Sequence, residues 1–191
     1  MIKNVSNYYL LGIVYFENKE YSNSVEMLKK AIKLNNNDYS IYNWLGCAYF
    51  ENKDFINAEK IFKKSIELNA DNPSNYHFLG RIYRENKDFN KSKDYFKQAI
   101  KKANENLSKQ IDIENSTNIL GISYYFTQDY NKAIEILDEA LKINENEYLY
   151  LYIGKSYKEL KNTEKAKESF NNSLKINNNF YEARKEVENL N

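Results

Sequence analysis

The five glycines constrain this chain more than any other feature. They stand at residues 12, 46, 80, 121 and 154, separated by 34, 34, 41 and 33 residues. Three residues after each comes a tyrosine (Tyr15, Tyr49, Tyr83, Tyr124 and Tyr157). One residue before each comes an aliphatic side chain (Leu11, Leu45, Leu79, Leu120 and Ile153). Every glycine therefore sits at one phase of a single repeat, which an ordinary helical bundle does not require.

With each glycine as position 8, the repeats run 5–38, 39–72, 73–113, 114–146 and 147–180. Position 4 holds Tyr8, Tyr42, Tyr76, Thr117 and Tyr150. Position 20 is small throughout (Ser24, Ala58, Ser92, Ala133, Ala166), and so is position 27 (Ala31, Ser65, Ala99, Ala140, Ser173). Position 24 is large and apolar (Leu28, Phe62, Phe96, Leu137, Phe170). Positions 4, 7, 8 and 11 form one helical stripe, and positions 20, 24, 27 and 28 form a second. Polar breaks such as Glu17-Asn18-Lys19 separate them. Each repeat thus reads as two antiparallel helices. A glycine inside a helix costs about 0.5–1 kcal/mol relative to alanine, so its recurrence implies close packing that offsets the loss.

Composition narrows the function. The 191 residues carry Lys+Arg 28 against Asp+Glu 27, a net charge of +1, without the basic excess of a phosphate-backbone binder. One Cys and one His exclude a disulfide framework and an all-protein Cys/His zinc cage. The glycines are isolated in helices, so there is no phosphate loop. Neighbouring carboxylates such as Asp138 and Glu139 read as a solvated helix face. No catalytic constellation, metal site or cofactor site is expected. The apolar run Tyr8–Phe16 is too short to span a bilayer, and Glu17-Asn18-Lys19 follows it instead of a small-residue cleavage site, so no membrane segment and a cytoplasmic location are expected.

The two-stripe pattern resembles the tetratricopeptide repeat (TPR) family, a 34-residue helix–turn–helix with small and large apolar residues at these positions. The resemblance covers residues 5–180 and implies an all-α, right-handed superhelical solenoid of five helix–turn–helix units plus a C-terminal capping helix over 181–190, a single array over 1–191. The family's proline near position 32 is missing, replaced by Asn36, Ala70, Asn104, Glu145 and Asn178. The third repeat carries seven extra residues around Lys101–Ile113, read as lengthened helices or as a mobile loop near Asn104–Ser108. The capping segment shows an apolar stripe of Ala183, Val187 and Leu190. The first helix has no comparable end device and is apolar nearly all round, so it is expected to be covered on several sides.

The resemblance also implies a non-enzymatic adaptor or scaffold that binds a protein or peptide segment in a concave groove lined by the first helices. Mapped onto this sequence, the lining includes Tyr9, Ile13 and Phe16; Asn43, Cys47 and Phe50; His77, Arg81 and Arg84; Asn118, Ile122 and Tyr125; and Leu151, Lys155 and Lys158. Two of the three arginines fall in its middle; Arg81 and Arg84 read either as solvated cations on a helix face or as the grip for an acidic partner, flanked by aromatics such as Phe50 and Tyr125. The family's carboxylate clamp for chaperone tails is absent: its places hold Tyr9, Ile13 and Trp44, or Asn43, Cys47 and Phe78 in the next pair. Self-assembly through the N-terminal helix is the alternative. An RNA-reading helical repeat ranks below both, because net charge and repeat length weigh against nucleic acid.

Overall fold

The computed structural model describes residues 4–190, and among these it contains eleven α-helices and no strand. In chain order they are α1 (Val5–Glu17), α2 (Tyr21–Leu34), α3 (Tyr39–Glu51), α4 (Phe55–Leu68), α5 (Pro73–Glu85), α6 (Phe89–Ser108), α7 (Ile113–Phe126), α8 (Tyr130–Ile143), α9 (Glu147–Glu159), α10 (Thr163–Ile176) and α11 (Tyr181–Glu188). They form two compact units whose boundary falls inside α6, between Tyr95 and Phe96. In the first unit, α1 pairs with α2, α3 with α4, and α5 with the start of α6. In the second, α7 pairs with α8 and α9 with α10, and α11 packs on α10.

The glycine pattern has the expected cause. A Cβ added at Gly12 would lie 2.6 Å from Cγ of Leu28, and one at Gly46 would lie 2.7 Å from the ring of Phe62. Gly121 faces Leu137 and Gly154 faces Phe170 in the same way. Position 8 is therefore the point where the two helices of a hairpin touch, and the large residue at position 24 fills it. Serines at the small positions add a bond between the helices. Ser24 and Ser92 donate to the carbonyls of Gly12 and Gly80, and Ser173 donates to that of Glu147.

The turns inside the hairpins are built alike. Lys19, Lys53, Lys87, Gln128 and Lys161 all adopt the left-handed conformation, with φ between 61° and 70°. The next amide then reaches back to the repeat tyrosine, as Asp54 N–H does to the carbonyl of Tyr49 at 2.9 Å. This is the six-to-one bond of a Schellman ending. Asp54, Asp129 and Asn162 go on to cap the following helix with their side chains.

Between repeats, where the proline is missing, the asparagine one position earlier builds the turn. Asn35, Asn69 and Asn177, each just after a second helix, accept the amide two residues on through their side-chain oxygens, at 3.0–3.2 Å. This Asx turn reverses the chain without fixing φ through a ring. Asp38, Asn72 and Asn146 then cap the next first helix.

The insertion goes almost entirely into one helix. α6 has 20 residues where the other second helices have 14, and α7 has 14 where the other first helices have 13. Asn104–Ser108 is thus helical, and the loop alternative is set aside. The α6–α7 turn instead uses Gln110 and Asp112, both at positive φ. In α11, which ends at Glu188 and not at 190, Ala183 is fully buried and Val187 packs against the cluster of Phe170 and Phe180, as does Leu190 just beyond the helix.

Candidate functional site

In the first unit the candidate residues gather around Arg81. Its guanidinium lies over the ring of Phe50 at 4.4 Å and over that of Phe78 at 5.3 Å. Phe50 in turn meets Phe55 and Phe78, each at 5.4 Å between centroids. Phe78 is braced from beneath by Phe62, stacked at 5.0 Å. Arg81 is half-buried and has no carboxylate within ion-pair distance among the described residues. The rings hold one face of the guanidinium, while its N–H edges keep their capacity for an anion.

Burial sets the chemistry of the two singular residues. His77 is 3% exposed, and burial followed by the charge of Arg81 pushes its pKa down to about 3, so the imidazole is neutral near pH 7. Burial raises the Cys47 thiol to about 12, with Arg81 partly opposing, so no thiolate nucleophile forms. Among the described residues, no group of three or more His, Cys, Asp and Glu side chains is placed to hold a metal ion.

Several of the predicted lining residues are largely covered. Cys47, Phe50, His77 and Leu151 are buried and present no free surface for a ligand. Cys47 and Phe50 belong to the hydrophobic cluster around Phe62, Leu79 and Ile82. Leu151 is covered because Phe180 and Ala183 pack into its cluster. Tyr9, Ile13, Phe16 and Asn43 are half-buried, and Arg84 is exposed. Asn43 donates to Asn75, which donates to Ser65, so its amide serves a network between helices.

The second unit repeats part of the arrangement. Tyr125 meets Tyr130 at 5.8 Å and Tyr152 at 5.3 Å, and the ammonium of Lys155 lies 5.3 Å from the Tyr152 ring. Asn118 and Ile122 are half-buried, the latter packed against the cluster of Leu137 and Ile153. Lys158 differs from Arg81: Glu186 of α11 takes its ammonium at 2.6 Å. Tyr125 also meets Phe126, at 5.1 Å between centroids.

Sequence reasoning missed the ring at position 6. Trp44, Phe78 and Tyr152 each meet the aromatic at position 12 of the preceding repeat (Phe16, Phe50 and Tyr125), which also meets a ring at position 17 (Tyr21, Phe55 and Tyr130). Where position 9 is cationic, as at Arg81 and Lys155, the cation lies on the position 6 ring. The recurrence of an aromatic at 12, then 17, then 6 of the next repeat was the available signal.

Family models fix the class of repeat. A model for the tetratricopeptide repeat matches residues 71–146, one for the TPR repeat matches 12–53, and a second tetratricopeptide model matches 39–72 and 148–180. The chain belongs to the tetratricopeptide repeat family. No curated protein matches this TPR chain in sequence. Among solved structures, TTC0263, a thermophilic TPR protein of Thermus thermophilus, superposes with a TM-score of 0.79 at 16% identity, covering 98% of each chain. The Cut9–Hcn1 hetero-tetramer of APC/C gives 0.74 at 17% identity, covering 98% of this chain and 36% of that one. YrrB, a TPR protein with an unusual peptide-binding site, gives 0.51 at 17% identity, covering 96% and 91%. At these identities the likeness is one of fold. The TPR is in general a non-catalytic protein-interaction repeat, and this chain has the fold of an interaction scaffold. No helix among the described residues is long and apolar enough to cross a membrane.

Proposed function

We propose that this TPR chain is a non-enzymatic adaptor that binds a segment of another protein along its first helices, with Arg81 as the receptor for an acidic side chain or a terminal carboxylate. The observation that carries the reading is the guanidinium of half-buried Arg81, which lies over the rings of Phe50 and Phe78 without a carboxylate of its own among the described residues. A cation held on rings has already lost much of its rotamer freedom, so less is lost when it grips a ligand. Its planar fork takes a carboxylate through two parallel bonds, and Phe78, the less buried of the two rings, offers apolar contact to the residue beside the acid. A second observation supports the same chemistry from within the chain: Lys158, on a first helix of the second unit, is occupied by a glutamate carried on another helix, Glu186. The description of YrrB as a peptide binder supports the general mode.

The test is a binding screen of the purified chain against a randomised peptide library, followed by anisotropy titrations of the enriched sequences. Acidic residues next to apolar ones should be enriched, and Arg81→Ala should weaken those sequences by about 1–3 kcal/mol, the range for a charge-assisted hydrogen bond. Enrichment without acidic residues, or equal binding by Arg81→Ala, would remove the reading. Binding should also weaken with salt, because the ion pair is formed at a half-open site.

A further inference from the structure

α1 leaves open a face that its counterparts in the chain have covered. Leu10, Leu11 and Val14 are 58%, 40% and 49% exposed, a stripe of helical spacing along one side of the helix. In α3 the residues at the last two of these positions are Leu45 and Ala48, at 2% and 0%. What covers them is α2, whose Leu28 and Ala31 form one cluster with Leu45, Ala48 and Ile41. The same joint recurs in the second unit, where Leu137 and Ala140 of α8 pack with Leu149 and Ile153 of α9. In both joints the covering helix brings a large apolar residue and, three residues later, an alanine.

We propose that the open face of α1 is a docking site for an amphipathic helix of a partner protein bearing this large–x–x–small stripe. The chain itself shows how a first helix of this kind is covered, so the chemistry of the occupant follows from its own interior. A second copy of α1 fits less well. Its open stripe is Leu10, Leu11 and Val14, with no small residue, because Gly12 faces Leu28 on the buried side. Two such faces would set large side chains against large ones and hold the helices apart, whereas an alanine at the crossing lets them close. The stripe carries no charge, so the occupant is selected by shape and apolar area; contiguous exposed apolar surface of this kind marks interaction sites.

The probe is a fluorescent, hydrocarbon-stapled peptide with the sequence of residues 130–143, whose Leu137 and Ala140 supply the stripe. Titrated into the full chain, it should bind saturably. The Leu10→Lys/Val14→Lys double variant should weaken that binding about tenfold or more, with unchanged far-ultraviolet circular dichroism. A peptide carrying Leu137→Asp should lose binding to the unaltered chain to a similar degree. The double variant should bind acidic peptides as the unaltered chain does, so the failure of this proposal and of the adaptor reading are told apart. Absence of binding by the stapled peptide overturns the proposal, as does binding that the double variant retains. Concentration-dependent dimerisation that Val14→Lys abolishes, without peptide binding, overturns it in favour of a second copy.

Discussion

The Cα of Gly46 lies so close to the ring of Phe62 that an added methyl would sit 2.7 Å from its Cε1 atom. Phe62 is fully buried and stacks on Phe78, over whose ring the Arg81 guanidinium lies, so the glycine seats a ring on which the candidate site rests. The repeat's most regular residue and its most irregular surface are joined through one phenylalanine.

Gly46→Ala should therefore destabilise the chain even though alanine is the better helix former. Overpacking a tight core costs roughly 1–3 kcal/mol, and the gain in helix propensity offsets at most about 1 kcal/mol. A net loss of up to about 2 kcal/mol is expected in urea unfolding. A gain in midpoint would show that the joint relaxes freely.

Lys53 carries the opposite prediction. Its φ of 62° is a conformation that costs an L-residue about 1 kcal/mol, and it stands where helix endings usually place glycine. Lys53→Gly should relieve that strain while losing some unfolded-state advantage, for a net gain of about 0.5 kcal/mol. Thermal melts of the two proteins at one concentration decide it.

Acid should weaken the fold in part through His77, and alkali in part through Cys47. His77 has a folded pKa near 3 against an ordinary 6.5, so the unfolded chain binds the extra proton. Its contribution is full above pH 6.5 and is lost as pH falls towards 3, by at most about 1.4 kcal/mol per unit. Cys47 runs the other way. Its folded pKa of about 12 lies above the ordinary 9.0, so its contribution is present below pH 9 and is lost as pH rises towards 12. Denaturation midpoints across pH for His77→Gln and Cys47→Ala should be flatter on the acid and alkaline limbs respectively. An unchanged acid limb in His77→Gln would show that another group carries it.

How much of this was legible depends on how far apart the partners lie. The pairing of position 8 with position 24 recurs at short range at Gly12, Gly46, Gly121 and Gly154, so the helix hairpins could be read from Gly12 and Leu28 onward. The Asx turns at Asn35, Asn69 and Asn177 were hidden by abundance, because asparagine is common in every loop here and no single one stands out. Exposure along the first helices was half legible. Periodicity places Cys47, Phe50 and His77 on one face of their helices, but it does not tell a residue at the surface from one covered by the next repeat. Leu151 was lost for the same reason, since its cover comes from Phe180, and the Lys158–Glu186 pair joins residues 28 apart.

The last prediction concerns the platform under Arg81. If the rings of Phe50 and Phe78 orient the guanidinium, removing a ring should act on ligand binding through Arg81, and the two effects should not add. Phe78→Leu keeps apolar volume but removes the quadrupole at 5.3 Å, worth roughly 0.5–2 kcal/mol to a partly buried cation. Arg81→Lys keeps the charge but loses the planar fork, so it should recover little of the affinity lost in Arg81→Ala. A double-mutant cycle of Phe78→Leu and Arg81→Ala, read by anisotropy with an acidic peptide from the screen, should give a coupling energy of about 0.5 kcal/mol or more. Additive losses would mean that ring and cation contact the ligand independently. Full recovery by Arg81→Lys would mean that the site reads charge alone, without the geometry that the rings impose.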